Sequence, residues 1–265
     1  MSHSREAVNL SAERPARSAR KMLATVMCLP LVDGVFPALV LAGALSDPAG
    51  LATVGLLVFG GSATVAVVLS ELGGSRRHRV ATVLAVGAVV VPVAALEAAA
   101  APTIRSLLRL SVLEPFAALV VLAVAARTAS ASVSEWLPRP AVVVAVGLLV
   151  SLDPSGASLV LSTDPGLVLR AAGAAGLGVM AALLVAVAAP RLRTVVDVDR
   201  FRFGSAVALG VLALSMVGLV PSDSPLALAV LGVTVLLSFD PGNPDDPDEE
   251  PNDGARRTVA DGRAE

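Results

Sequence analysis

Eight times between Lys21 and Phe239 the chain runs for about 20 residues with almost no charge, the length an α-helix needs to cross a ~30 Å hydrocarbon core. The windows fall near Lys21–Leu45, Leu51–Leu72, Val80–Ala101, Leu107–Ala126, Pro140–Val160, Gly166–Ala189, Phe203–Val220 and Leu226–Phe239, the last shorter than the others. They predict an all-α fold, a polytopic transmembrane helix bundle of about eight spans. Composition agrees: 55% of residues are hydrophobic, mean hydropathy is +0.79 and 16% are charged, against about 25% in an ordinary soluble domain. The apolar mass is Ala, Val, Leu and Gly, whose small members let helices pack closely in lipid.

Loop charge gives an orientation, because Lys and Arg are retained on the cytoplasmic side. With the N-terminus inside, the inner segments hold Arg5, Arg14, Arg17, Arg20 and Lys21; Arg76, Arg77 and Arg79; Arg127 and Arg139; Arg191, Arg193, Arg200 and Arg202; and Arg256, Arg257 and Arg263. The outer segments hold only Arg105, Arg109 and Arg170. A missed or invented span would scramble this alternation. The sequence therefore predicts a cell-membrane protein with both termini cytoplasmic. Residues 1–20 read as a disordered basic arm, residues 21–239 as the helical membrane domain, and residues 240–265, rich in Asp, Glu and Pro, as a disordered acidic tail. A cleaved signal peptide is the weaker reading of the N-terminal region, since the run Met22–Leu45 exceeds the ~7–15 residues of an h-region and carries Asp33.

Much chemistry is excluded. Cys28 is the single cysteine, and His3 and His78 are the only histidines, so no disulfide, thiolate cluster or His-based metal site can form within the chain. No Ser/His or Cys/His pairing suggests an enzyme, no cofactor motif is present, and a net charge of −2 without a basic domain leaves no nucleic-acid footprint. The expected partners are the lipid bilayer and a cation or proton. No feature of the sequence sets an oligomeric state.

What stands out inside the apolar windows is acid beside helix breakers. Asp33 lies between Pro30, Gly34 and Pro37; Glu114 precedes Pro115; Asp153 precedes Pro154 and Gly156. On straight helices, Asp33, Glu114 and Asp153 would each lie roughly 10–12 Å below the outer surface, with Glu97 shallower at about 5 Å. Ionisable groups at such depth are candidate sites. Asp33, Glu114, Asp153 and Glu97 are therefore the candidate ion- or substrate-binding residues, supported by those prolines and glycines. Capping and helix termination are the bland alternatives, strongest for Asp153, Glu97 and Glu71.

Phe36-Pro-Ala-Leu-Val returns eighty residues later as Phe116-Ala-Ala-Leu-Val, each just after a carboxylate. Chance can produce such a match in so Ala-, Leu- and Val-rich a chain. A genuine duplication would make the unit three spans, an odd number that forces the copies into inverted orientation, as in secondary transporters. The run from Ala24 through Leu45, with Phe59-Gly-Gly-Ser-Ala-Thr-Val-Ala and Arg200-Phe-Arg-Phe-Gly-Ser-Ala-Val, resembles a family of uncharacterised multi-pass membrane proteins from haloarchaea. That resemblance implies a plasma-membrane location and no activity. Two functions remain in view: an ion-coupled transporter or permease for a cation or small solute, and a non-catalytic membrane scaffold or assembly protein.

Overall fold

The computed structural model describes residues 3–153, 164–221 and 225–239, with side chains from Ser18 onward except Ala131 and Ser134. Pro154 and Gly156, and the acidic tail from Asp240, lie outside the described residues. Among these residues the chain is all-helical, apart from two isolated β-bridges. In order come α1 (His3–Val32), α2 (Val35–Leu41), α3 (Pro48–Val54), a π-helical turn (Gly55–Phe59), α4 (Ser62–Ser70), α5 (Arg76–Arg105), α6 (Leu110–Ala129), α7 (Ala131–Trp136), α8 (Pro140–Ser151), α9 (Pro165–Val195), α10 (Val198–Met216) and α11 (Leu226–Leu237). α1 starts within the arm for which the sequence predicts disorder.

Among the described residues, four segments are long and apolar enough to cross a membrane: Ser18–Leu41, α5, α6 and α9, or five if the bent pair Pro48–Phe59 and Ser62–Ser70 counts as one span. Their apolar surface extends well beyond the core: Leu96, Leu169, Leu184 and Leu236 are all more than 60% exposed. Apolar area of that extent facing outward fits a lipid environment. The other three windows fall short. α8 and α11 have 12 residues each, about 18 Å at ~1.5 Å per residue, and α10 opens on Asp199, Arg200 and Arg202.

The helix breaks differ from the sequence expectation in number and place. α1 runs through Pro30 and the chain breaks once, at Asp33-Gly34, where Gly34 takes the left-handed backbone (φ 76°) that a side chain would strain. Pro37 sits in the first turn of α2, where its missing N–H is tolerated. α6 likewise continues through Pro115. A break absent from the sequence reading lies in the second window: the π-turn, closed by Gly60 N–H donating to Gly55 carbonyl at 3.0 Å, followed by Gly60-Gly61 and a 43° bend.

The last two thirds of the chain recur in register. The bridge Leu108↔Leu152 ties the α5–α6 connection to the end of α8, and Val196↔Phe239 ties the α9–α10 connection to the end of α11. At the same offset of 88 residues, Val83, Gly87, Val90, Ala94, Ala98 and Ala101 of α5 and Ala171, Ala175, Gly178, Ala182, Ala186 and Ala189 of α9 are all buried. So are Leu113, Ala117, Val121 and Ala125 of α6 and Phe201, Ser205, Leu209 and Ala213 of α10. One helix–helix contact recurs with its bulk exchanged. A Cβ on Gly147 of α8 would meet Phe116 of α6 at 2.7 Å, while a Cβ on Gly204 of α10 would run into Thr234 of α11. This register is not the eighty-residue offset of Phe36 and Phe116.

Long-range hydrogen bonds seat the broken helices on the two long ones. Arg105, three residues after Pro102 in α5, donates from Nη2 to Val40 carbonyl at the end of α2 (2.6 Å). Arg193, three residues after Pro190 in α9, donates from Nη2 to Leu72 carbonyl just past α4 (2.8 Å). Both carbonyls are at helix C-termini, where the dipole favours a cation. Pro190 also deprives Ala186 carbonyl of its helical donor. Arg79, buried at 6% exposure, fills that vacancy from Nε at 2.9 Å and donates from Nη1 to Gly74 carbonyl at 2.7 Å.

Candidate functional site

A cavity of about 310 Å³ opens where the two in-register parts and the α2–α3 loop meet. Its wall is Gly43, Ser46, Asp47 and Thr53 from the α2–α3 region, Glu114 near the start of α6, Leu212, Ser215 and Met216 at the end of α10, and Pro225 to Ala227 at the start of α11. The fold explains why it is there. α6 and α10 pack along their lengths, and the α2–α3 loop folds over one end of that pair.

Among the described residues, two charged side chains line the wall, Asp47 and Glu114, both carboxylates. Asp47 caps α3, its Oδ1 accepting from Gly50 N–H at 2.8 Å, which leaves the other oxygen available. Glu114 is exposed and has no hydrogen bond or ion pair among the described residues. Ser46, Thr53 and Ser215 add hydroxyls, although those of Thr53 and Ser215 donate to backbone carbonyls of their own helices. Negative charge without a basic neighbour suits a cationic guest. Among the described residues no group of three or more His, Cys, Asp or Glu is arranged to hold a metal, and a hard divalent ion wants six or more oxygens. The wall fits a monovalent or organic cation better.

Of the four acids singled out in the sequence, Glu114 lines this cavity and the other three do not. Asp33 is half-buried at the α1–α2 break, its N–H donating to Leu29 carbonyl at 2.8 Å. Asp153 follows α8, its N–H donating to Leu107 carbonyl at 2.9 Å beside the first bridge. Glu97 is half-buried on α5, with Oε2 enclosed and lacking a partner among the described residues. The acid that sequence reasoning passed over is Asp47. Its signal was present: Ser46-Asp47-Pro48 is a helix-start pattern, Asp at the N-cap and Pro at the first helical position.

Residues 90–217, from the middle of α5 to the end of α10, match the family described as Family of unknown function (DUF5794). That stretch contains Glu114, Leu212, Ser215 and Met216 of the cavity wall but not Asp47. No curated protein and no solved structure matches the chain.

Proposed function

We propose that this chain is a multi-pass membrane carrier for a small monovalent or organic cation, bound in the cavity between Asp47 and Glu114. The observation that carries the reading is that cavity, walled by two in-register parts of the chain and charged, among the described residues, only by carboxylates. In this reading α8, α10 and α11 also span, giving eight crossings with both termini cytoplasmic, as the Lys/Arg distribution favours. The trio α5, α6, α8 and the trio α9, α10, α11 are then inverted copies, because three crossings return the chain to the opposite face. Transport proteins of this architecture bind substrate at the repeat interface. A scaffold would have no use for an open, acid-lined cavity at that interface.

The test uses the purified full-length chain, melted with tetramethylammonium, choline, sodium or potassium chloride at matched ionic strength. Specific stabilisation by one of the four cations, lost in Glu114→Gln and reduced in Asp47→Asn, supports the reading. Asn keeps the helix cap while removing the charge. A wild type that responds to none of the four, or that responds just as Glu114→Gln does, would leave the scaffold reading in front.

A further inference from the structure

The cavity sits at one end of the α6/α10 pair only in the sense that its wall mixes unlike ends: the start of α6 and the end of α10. The register described above converts each of those positions into a partner on the other copy. Using the offset of 88 set by Leu108 and Val196, Glu114 corresponds to Arg202, Leu212 to Val124, Ser215 to Arg127 and Met216 to Thr128; using 87, set by Leu152 and Phe239, Leu226 corresponds to Arg139 and Ala227 to Pro140. These six positions again combine the start of one helix of the pair, α10, with the end of the other, α6, and with the start of the short third helix, α8. They belong together by the same topology that gathers the cavity wall.

We propose that Val124, Arg127, Thr128, Arg139, Pro140 and Arg202 form a second mouth on the opposite membrane face, which opens as the cavity beside Glu114 closes. The proposal rests on the carrier reading and adds its conformational partner. Three features support it beyond the offset. The two bridges tie the same points of both trios. The Phe116/Gly147 and Gly204/Thr234 contacts repeat with the bulky residue moved to the other helix, so the copies share a packing geometry without sharing side chains. Arg105 and Arg193 anchor α2 and the end of α4 to equivalent points of α5 and α9, so each trio carries one broken helix. If two halves of one geometry exchange conformations, inverted copies place the exchanged opening on the other side.

The second mouth has a different charge from the first. Arg127, Arg139 and Arg202 stand where Ser215, Leu226 and Glu114 stand; Arg202 is paired with Asp199 at 3.3 Å, which leaves Arg127 and Arg139 to make the second mouth the more basic of the two, so a cation is concentrated at the first, an effect that salt screens.

The experiment uses the full chain with Cys28→Ala in sealed vesicles, carrying Ser215→Cys and Thr128→Cys together, with Ser215→Cys and Arg139→Cys as a second pair. Membrane-impermeant maleimides of two masses report from which face each cysteine reacts. Opposite faces are expected, and prior labelling of position 215 with the bulkier reagent, which props the first cavity open, should slow labelling at 128 and 139 by about tenfold, a bias of about 1.4 kcal/mol. Unaltered melting of the labelled protein shows that the slowing is not unfolding. Labelling of both positions from one face, no labelling at 128 and 139, or rates indifferent to the first label would overturn the proposal. The cation melts fail independently: exclusive labelling without any cation response retains the two mouths and removes the cation.

Discussion

Phe36 and Phe59 meet edge to face, their ring centroids 5.1 Å apart and their planes at 61°. Each lies within three residues of a break, Phe36 after Asp33-Gly34 and Phe59 before Gly60-Gly61, and neither has measurable exposure. The two interrupted segments are thus locked together where their helical hydrogen bonding lapses. Truncating either ring should cost about 3–5 kcal/mol, with the double variant less damaging than the sum because the pair contributes about 0.5–1.5 kcal/mol of its own. Denaturation of Phe36→Ala, Phe59→Ala and the double variant checks this, and strict additivity would contradict it.

Gly204→Ala should destabilise by about 1–3 kcal/mol, since its Cβ has no space beside Thr234. Thr234→Gly introduced alongside it should recover part of the loss. Melting temperatures of the two singles and the double decide the matter, and a double variant as poor as Gly204→Ala would place the strain elsewhere.

Arg79 should resist conservative replacement. Its guanidinium reaches two carbonyls on different segments, which a lysine ammonium on a single stem cannot match. Arg79→Lys should cost about 1–3 kcal/mol by leaving one buried carbonyl unserved. Arg77→Lys, on the exposed side of the same turn, is the control and should be neutral.

Asp33→Asn should leave any cation-dependent stabilisation intact while Glu114→Gln removes it, because Glu114 lines the cavity and Asp33 does not. Parallel melts in choline and sodium chloride distinguish the two. Loss of response in Asp33→Asn alone would move the site to the α1–α2 break.

The apolar windows were legible because hydropathy over about 20 residues is a property of the chain itself. Every window holds helix, interrupted in the first two, yet the windows misjudged length in both directions: α5 and α9 run to 30 and 31 residues, while α8 and α11 stop at 12. Breaks were harder to read. Pro30 and Pro115 look disruptive but fall where the helix continues, whereas Gly55 and Gly60-Gly61, unremarkable in a glycine-rich sequence, admit a π-turn only because α9 presents Gly178 to Phe59. Glu114 could be picked out by its depth. Asp47 could not, because its place in the cavity depends on how a loop folds over α6 and α10. The internal register escaped detection because it is chiefly a pattern of burial: Phe116 is answered by Gly204 and Glu114 by Arg202, while identities such as Pro102 with Pro190 and Arg105 with Arg193 are scattered among Ala and Val matches that the composition alone would produce.

The shortness of α8 and α11 bears on the lipid as much as on the protein. Each spans about 18 Å where an average hydrocarbon core measures ~30 Å. If the trios are inverted copies, the two deficits face opposite leaflets on opposite flanks of the molecule. Acyl chains beside each flank must then compress or tilt, at fractions of a kcal/mol per ångström of mismatch. Reconstitution in a series of phosphatidylcholines should accordingly show greatest thermal stability with chains shorter than those of a typical plasma membrane, with the bilayer acting as a spring loaded against the two short helices.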